Sequence, residues 1–381
     1  MMDLDEPDDA VALAKAALGR ADWAAARAHF EKALAGQETA AALDGLADAL
    51  FWLEEIQSSL DHRSRAYALY REAGDLSRAA RAALWLAMGY LSSFDNAAVA
   101  NGWLQRAEGL LDETGPCSER GWLEQLRGKM SPDAATTARH ARQAVEIARQ
   151  HGDADLEVWA LSEQGRALVS MGRVDEGMAM LDEAVAAAMA GEARDPFVVG
   201  NACCNMLSAC DRAVDVVRAV QWCRVLDDFA RRHPHPPVFH YCRVIHSGVL
   251  IVTGRWSEAE DELTAALRAV EEKFPHEKVH SLSRLALLCV RRGRLEEAGQ
   301  FLSGVESQGL AAEASASLHL ARGQPALAAA ILERRLGAVG DGLPAVPLLG
   351  LLVEAKLILK DPVAARAAAV RLGEIAERSK R

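Results

Sequence analysis

Aromatic residues are scarce here, only 5% of 381 residues, and that scarcity argues against a strand-built fold, because strands favour aromatic and β-branched side chains. Alanine and leucine abound instead, which favours helix. Basic charge is in deficit: 43 Lys and Arg against 54 Asp and Glu give a net charge of −11. With no basic run either, the chain is not expected to grip nucleic acid by itself. Long apolar runs are missing. The most apolar stretches, Gly248 to Val252 and Leu348 to Val353, fall far short of the roughly 20 apolar residues of a membrane-spanning helix, so no membrane contact is expected. The first residues, MMDLDEPDD, are acidic where a secretion signal begins basic and continues apolar. Seven cysteines form no CxxC pair, which reads as reduced, buried thiols in a cytoplasmic protein. No GxxxxGK or GxGxxG stands between a strand and a helix, and no GxSxG elbow occurs. Nucleotide-hydrolysing and hydrolase readings thereby lose their main support, and no catalytic residue, metal or cofactor is expected.

What is present is repetition. The segments GRVDEGMAMLDEAV from Gly172, GRWSEAEDELTAAL from Gly254, GRLEEAGQFLSGVE from Gly293 and GQPALAAAILERRL from Gly323 share one grammar. Their glycines are 82, 39 and 30 residues apart, and the 82 divides into two units because VDVVRAVQWCRVLDDFA fits between. Each unit reads as a helix, a tight glycine turn and a second helix. Gly74-Asp75, Gly152-Asp153, Asp195-Pro196, Asp361-Pro362, Gly115-Pro116 and Ser131-Pro132 supply stops and starts between helices. No stretch alternates with period two, so no strand is expected. The poorest fits are Glu54 to Arg63, which reads as an insertion, and Met130 to His151, which reads as one long helix.

In AAARAHFEKAL the spacing of Trp23, Ala26, Phe30 and Ala33, and later of Trp256, Ala259, Leu263 and Ala266, resembles the tetratricopeptide repeat. Small residues stand there because the paired helices approach closest at those points. The resemblance implies an all-α, right-handed superhelical solenoid of about ten helix pairs, a single array over 1–381 with parts at about 1–130, 131–274 and 275–381. Several stretches resemble something narrower: HRSRAYALYREAGDLSRAARAALWLA from His62, VANGWLQRAEGLL from Val99, GRVDEGMAMLDEAVAAAMAGEARDP from Gly172, CCNMLSACDR from Cys203 and YCRVIHSGVLIVTGRWSEAEDEL from Tyr241. These are similar to the repeat region of bacterial LuxR-type transcriptional regulators, in which such helices precede a DNA-binding helix-turn-helix. The sequence ends at RLGEIAERSKR with no DNA-binding domain, so the resemblance implies that any DNA contact belongs to a unit outside this chain.

The inner surface of such an array is built from the first helix of each pair. Projected from the turn glycines, it presents Trp159, Ser162, Glu163 and Arg166, then Asn201, Cys204, Asn205 and Ser208, then Tyr241, Ile245 and Gly248, then His280, Ser283 and Arg284. Aromatics beside amides and hydroxyls suit a groove for a protein, peptide or small-molecule effector; an ordinary solvated groove is the plainer alternative. Trp52 and Trp85 extend the surface toward the N-terminus or belong to the core. Arg243 and His246 fall where the repeat expects apolar residues; they bond internally to Glu258, Asp261 or a carbonyl, or they line a pocket for an acidic effector. His233, His235, His240 and His246 crowd into fourteen residues, but the first two sit in His-Pro-His-Pro-Pro, and the last two are six apart and face different ways on a helix. Cys203, Met206 and Cys210 form one helical stripe, with Cys223 on the next helix, and read as packed hydrophobes. The leading expectation is a regulatory repeat module with an effector in its groove, dimeric or not. A stand-alone scaffold is the second reading, and an enzyme or metal protein with His246, Arg243 and His240 is the third.

Overall fold

The computed structural model describes residues 7–232, 236–270 and 275–379, with side chains from 10 to 225, 243 to 270 and 277 to 379. Among them are twenty α-helices and no strand. The first four pairs are α1 (Pro7–Gly19) with α2 (Trp23–Gly36), α3 (Ala40–Trp52) with α4 (Ile56–Glu72), α5 (Leu76–Phe94) with α6 (Ala97–Asp112), and α7 (Ser118–Lys129) with α8 (Ala134–His151). The next three are α9 (Ala154–Ser170) with α10 (Val174–Ala190), α11 (Pro196–Ala213) with α12 (Val216–Arg232), and α13 (Pro236–Val252) with α14 (Trp256–Val270). The last three are α15 (Pro275–Arg291) with α16 (Leu295–Leu302), α17 (Ala312–Ala321) with α18 (Pro325–Val339), and α19 (Val346–Ile358) with α20 (Pro362–Arg378). No helix of the described residues is long and apolar enough to cross a membrane.

Local chemistry explains the boundaries. Asp22, Thr39, Asp75, Asn96, Asp133, Asp153, Asp195 and Asp361 each cap a helix by accepting a backbone N–H in its first turn. The spacing that marks the repeat also marks the core: Ala26, Phe30 and Ala33 are buried on α2, and Ala259, Leu263 and Ala266 on α14. One of the two irregular stretches reads correctly and the other does not. Met130 to His151 forms one helix from Ala134 on, started by the Asp133 cap after α7 ends at Lys129. Glu54 to Arg63 is not an insertion: Glu54 takes a left-handed turn at φ 61° and α4 follows at once, with Arg63 on its buried face.

Odd-numbered helices touch the odd helices of neighbouring pairs from α5 through α19, while even helices pack on the odd ones that flank them. The odd helices therefore form the inner layer. The superhelix is wound tightly enough for pairs four or five apart to meet. Phe51 of the second pair lies 6.1 Å from Phe197 of the sixth, ring to ring. The α15 helix of the eighth pair reaches α5 of the third, and Lys129 on α7 acts on the Glu277 carboxylate across the same gap. Residues 343–345, a short 3-10 turn before α19, pack against α9 and α11. There Gly342 lies so close that a Cβ would stand 2.3 Å from the Ser170 carbonyl oxygen, so only glycine fits.

Candidate functional site: the inner face of the superhelix

The central inner face is polar where an array interior is ordinarily apolar. On α9, Ser162 is fully buried and Glu163 is 2% exposed. The Ser162 hydroxyl donates to the Trp159 carbonyl (2.8 Å), and the Asn205 amide on α11 donates to both Ser162 Oγ (3.0 Å) and Glu163 Oε2 (3.1 Å). Arg166 Nε donates to Glu163 Oε1 at 3.1 Å. Burial works against the Glu163 charge, but Arg166 and Lys129, with the hydrogen bonds from Arg166 and Asn205, outweigh it and hold the carboxyl at about 2. Asn201 donates to the Phe197 carbonyl (2.8 Å) and so fastens the first turn of α11.

Arg284 on α15 pairs with Asp211 on α11, passing over α13, the helix between them. Gly248 makes this possible. A Cβ there would lie 2.5 Å from Asp211 Oδ1 and 2.9 Å from Arg284 Nη1, so the ion pair occupies the space of the missing side chain. Near it, burial pushes the Glu313 carboxyl up while Arg284 and Arg291 oppose the shift and Asp211 adds to it. The Ser170 hydroxyl, at the end of α9, accepts from Arg212 of α11.

The residues singled out from the sequence divide into two sets. Trp159, Ser162, Arg166, Asn201, Cys204, Asn205, Ser208 and Arg284 all lie on the inner helices, most of them buried between neighbouring pairs. Arg243 does not carry the buried charge the sequence implied. Its side chain is 46% exposed and pairs with Glu262 on α14 at 2.9 Å, and not with Glu258 or Asp261. His246 acts on Glu258, also on α14. The Tyr241 and His240 side chains, and all of His233 and His235, lie outside the described residues. Cys203, Cys204, Cys210, Cys223 and Cys289 are buried, and burial pushes the Cys210 thiol up to about 12, far from a thiolate. Among the described residues no group of three or more His, Cys, Asp or Glu is arranged to hold a metal ion.

A second, N-terminal stretch of the inner face was not foreseen. Arg63 is 5% exposed and pairs with Asp48 Oδ1 at 2.5 Å and Asp44 Oδ1 at 3.8 Å. Its guanidinium carbon lies 5.7 Å from the Trp85 ring centre. Burial raises Asp44 to about 6 against the pull of Arg63. Asp195, which caps α11 through the Phe197 N–H (2.9 Å), is likewise raised to about 6 by burial, with Asp48 and Asp155 adding to the shift. Trp52, by contrast, stacks on Trp23 at 5.1 Å and belongs to the core.

No protein-family model matches the sequence, and no curated protein does. Solved structures match by fold. A Rap protein complexed with competence and sporulation factor superimposes with a TM-score of 0.64 at 13% identity, over 89% of this chain and 98% of that one. The apo form of the quorum sensor NprR from B. thuringiensis gives 0.51 at 12% identity, over 85% and 99%. A tetratricopeptide repeat protein from Parabacteroides merdae gives 0.43 at 16% identity, over 68% and 94%. The chain has the fold of tetratricopeptide-type helical-repeat solenoids.

Proposed function

We propose that this chain is a regulatory repeat module whose inner face, between Lys129 on α7 and Arg291 on α15, binds a peptide, protein segment or small effector. The observation that carries the reading is the polar network inside the superhelix. Glu163, Arg166 and Asn205 tie α9 to α11, and Asp211 and Arg284 tie α11 to α15. Polar groups are costly in an interior and are kept only when paired. A ligand bringing its own amides and charges is able to exchange with these partners, and each exchange loosens one inter-pair tie. The angle between pairs then changes, and a tight superhelix transmits that change along its length. Two of the superimposing solved structures, one complexed with competence and sporulation factor and one a quorum sensor, support a peptide as the occupant.

In the narrower form of this proposal, residues 1–381 act as one array within a LuxR-type regulator, and the change in curvature passes to a DNA-binding unit outside the chain. The resemblance of the segments from His62, Val99, Gly172, Cys203 and Tyr241 supports it.

The test is native mass spectrometry of the purified chain after incubation with the peptide fraction of a bacterial extract. Asn205→Ala and Arg284→Ala are expected to lose a retained species, and Arg243→Ala, whose partner is Glu262 on α14, to keep it. Absence of any retained species, or equal loss in Arg243→Ala, sinks the inner-face reading.

A further inference from the structure

Four aromatic side chains stand on four successive inner helices: Trp85 on α5, Trp122 on α7, Trp159 on α9 and Phe197 at the start of α11. They are 37, 37 and 38 residues apart, one per helix pair. In a gently curved array the first and last would be far apart. Here they close a ring, with centroids 6.0 Å from Trp85 to Trp122, 5.4 Å to Trp159, 5.5 Å to Phe197 and 5.3 Å back to Trp85.

Arg81 lies against this ring, over its Trp122 member. Its guanidinium carbon sits 3.7 Å from the centre of the Trp122 ring, well inside the distance at which a cation is held by an aromatic face. The space left among Arg81, Leu84, Trp85, Met88, Trp122, Leu126 and Trp159 is only about 10 Å³, at most one water. Yet Arg81 makes no hydrogen bond or ion pair among the described residues, although a guanidinium carries five donors. Arg63, one helix away, shows what a structural arginine does in this interior: it pairs with Asp48 and Asp44.

Burial works against the Arg81 charge and sets the net shift downward, while Asp153, Asp195, Glu119 and Asp155 support the charge, four carboxylates acting on one unpaired guanidinium. Asp153 is fixed by the Trp122 indole N–H, which donates to its Oδ2 at 2.8 Å, and Asp195 is fixed as the cap of α11. Neither is free to swing onto Arg81.

We infer that this aromatic ring, through its Trp122 face, forms a cage for a cationic group of the ligand, a guanidinium or an ammonium, and that Arg81 is a built-in occupant which the ligand displaces. Displacement costs no ion pair, because Arg81 has none to break, and the four carboxylates remain to face the incoming charge. Phe197 belongs to the sixth pair and Trp85 to the third, so filling or emptying the cage acts on the contact between successive turns of the superhelix. The inference rests on the inner face being the binding surface and names the chemistry it takes.

The test uses small probes, so that it is able to fail while peptide retention stands, and the reverse. Tryptophan fluorescence of the purified chain is titrated with ethylguanidinium and ethylammonium at millimolar concentrations, with neutral N-ethylurea and anionic propionate alongside. In Arg81→Ala the two cations are expected to give a saturable change at least tenfold tighter than in the unmodified chain, where Arg81 competes. N-ethylurea and propionate are expected to give none, and Trp122→Ala in the same background to abolish the response. The cage is overturned if Arg81→Ala shows no saturable response to the cations, if N-ethylurea matches them, or if propionate binds instead. Arg81→Met, which keeps bulk and removes charge, serves if Arg81→Ala does not fold. If neither variant folds, with or without ethylguanidinium, Arg81 is a structural cation and the inference fails.

Discussion

The two ends of this superhelix are held together differently. From Leu43 to Val270 one continuous hydrophobic cluster runs through the interior and contains Trp122, Trp159, Tyr67 and Tyr70, with Trp85 and Phe197 packed against it. From Ala316 to Ile375 a separate cluster is built of alanine, leucine and isoleucine alone. The surface does not share the division: the last two pairs leave Leu327, Leu357, Ile358, Val363 and Val370 more than half exposed, and so does the first region with Val214, Val217 and Val252. In the first region pairs four or five apart share a core. In the second, each pair rests mainly on its neighbours, as in an ordinary solenoid whose stability is a sum of local terms. Tight winding thus turns a one-dimensional array into a three-dimensional core where large rings span the gap.

Phe197→Ala puts this contrast to its hardest test. Phe197 touches Phe51, Trp85 and Trp159, rings from the second, third and fifth pairs. Its truncation is expected to cost about 3 to 5 kcal/mol and to lower hydrogen-exchange protection across α3 to α11 together. Leu332→Ala, fully buried in the C-terminal cluster, is expected to cost about 3 kcal/mol with the loss confined to α17 to α20. Protection lost only within α11 after Phe197→Ala would show that the turns touch without being coupled.

A pH dependence separates the two charged stretches of the inner face. Asp44 and Asp195 sit near 6 in the folded chain against an ordinary value near 3.9. A folded state that holds protons more tightly than the unfolded one gains stability as pH falls, so these groups add stability between about pH 6 and 4 and withdraw it as pH rises through 6. Glu163 is held at about 2, and its contribution is present above about pH 4.5 and lost toward pH 2. Thermal denaturation is therefore expected to show a maximum near pH 4 to 5, with a rise of roughly 3 kcal/mol from pH 7. Asp195→Asn, which keeps the cap, is expected to flatten the rising limb, and Glu163→Gln the falling one. A melting temperature that drops steadily from pH 7 to 5 contradicts the assignment.

The C-terminal region has its own long-range contact at Gly342, and a smaller effect follows from it. Gly342 has φ −119°, which any residue adopts, so Gly342→Ala changes nothing locally. Its new methyl group meets the Ser170 carbonyl oxygen of the fifth pair. The substitution is expected to cost about 2 kcal/mol and to make residues 343–379 more sensitive to limited proteolysis while α3 to α11 keep their protection. Unchanged proteolysis would mean that the last pair stands on α17 and α18 alone.

How much of this was legible in the sequence depends on the range of the interaction. Contacts within a pair leave a local signature, and the alanines at 26, 33, 259 and 266 show it. Contacts between turns leave none, because Phe51 and Phe197 are 146 positions apart and nothing in either segment names the other. For that reason the buried Arg63 and the half-buried Arg81, Asp44 and Asp195 went unseen, whereas the α9 and α11 positions of the inner face were found from the repeat register.

Turn residues divide in the same way. The first-to-second-helix turn puts one residue at positive φ in nine pairs: glycine at 172, 254, 293 and 323, but Ala21, Glu54, Asp95, Val214 and Lys360 in the other five. The four glycines were the repeats the sequence disclosed. Glu54 hid a turn and made α4 look like an insertion. Val214 is the most strained of the five, a β-branched residue at φ 53° whose side chain crowds the carbonyl in that region. It is also 64% exposed, so glycine there removes strain without removing buried contact. Val214→Gly is expected to stabilise the chain by up to about 1 kcal/mol, because relief of strain outweighs the greater freedom glycine brings to the unfolded state. A chemical-denaturation midpoint that falls would show that the sixth pair needs the valine itself, and that its turn is more than an interrupted glycine position.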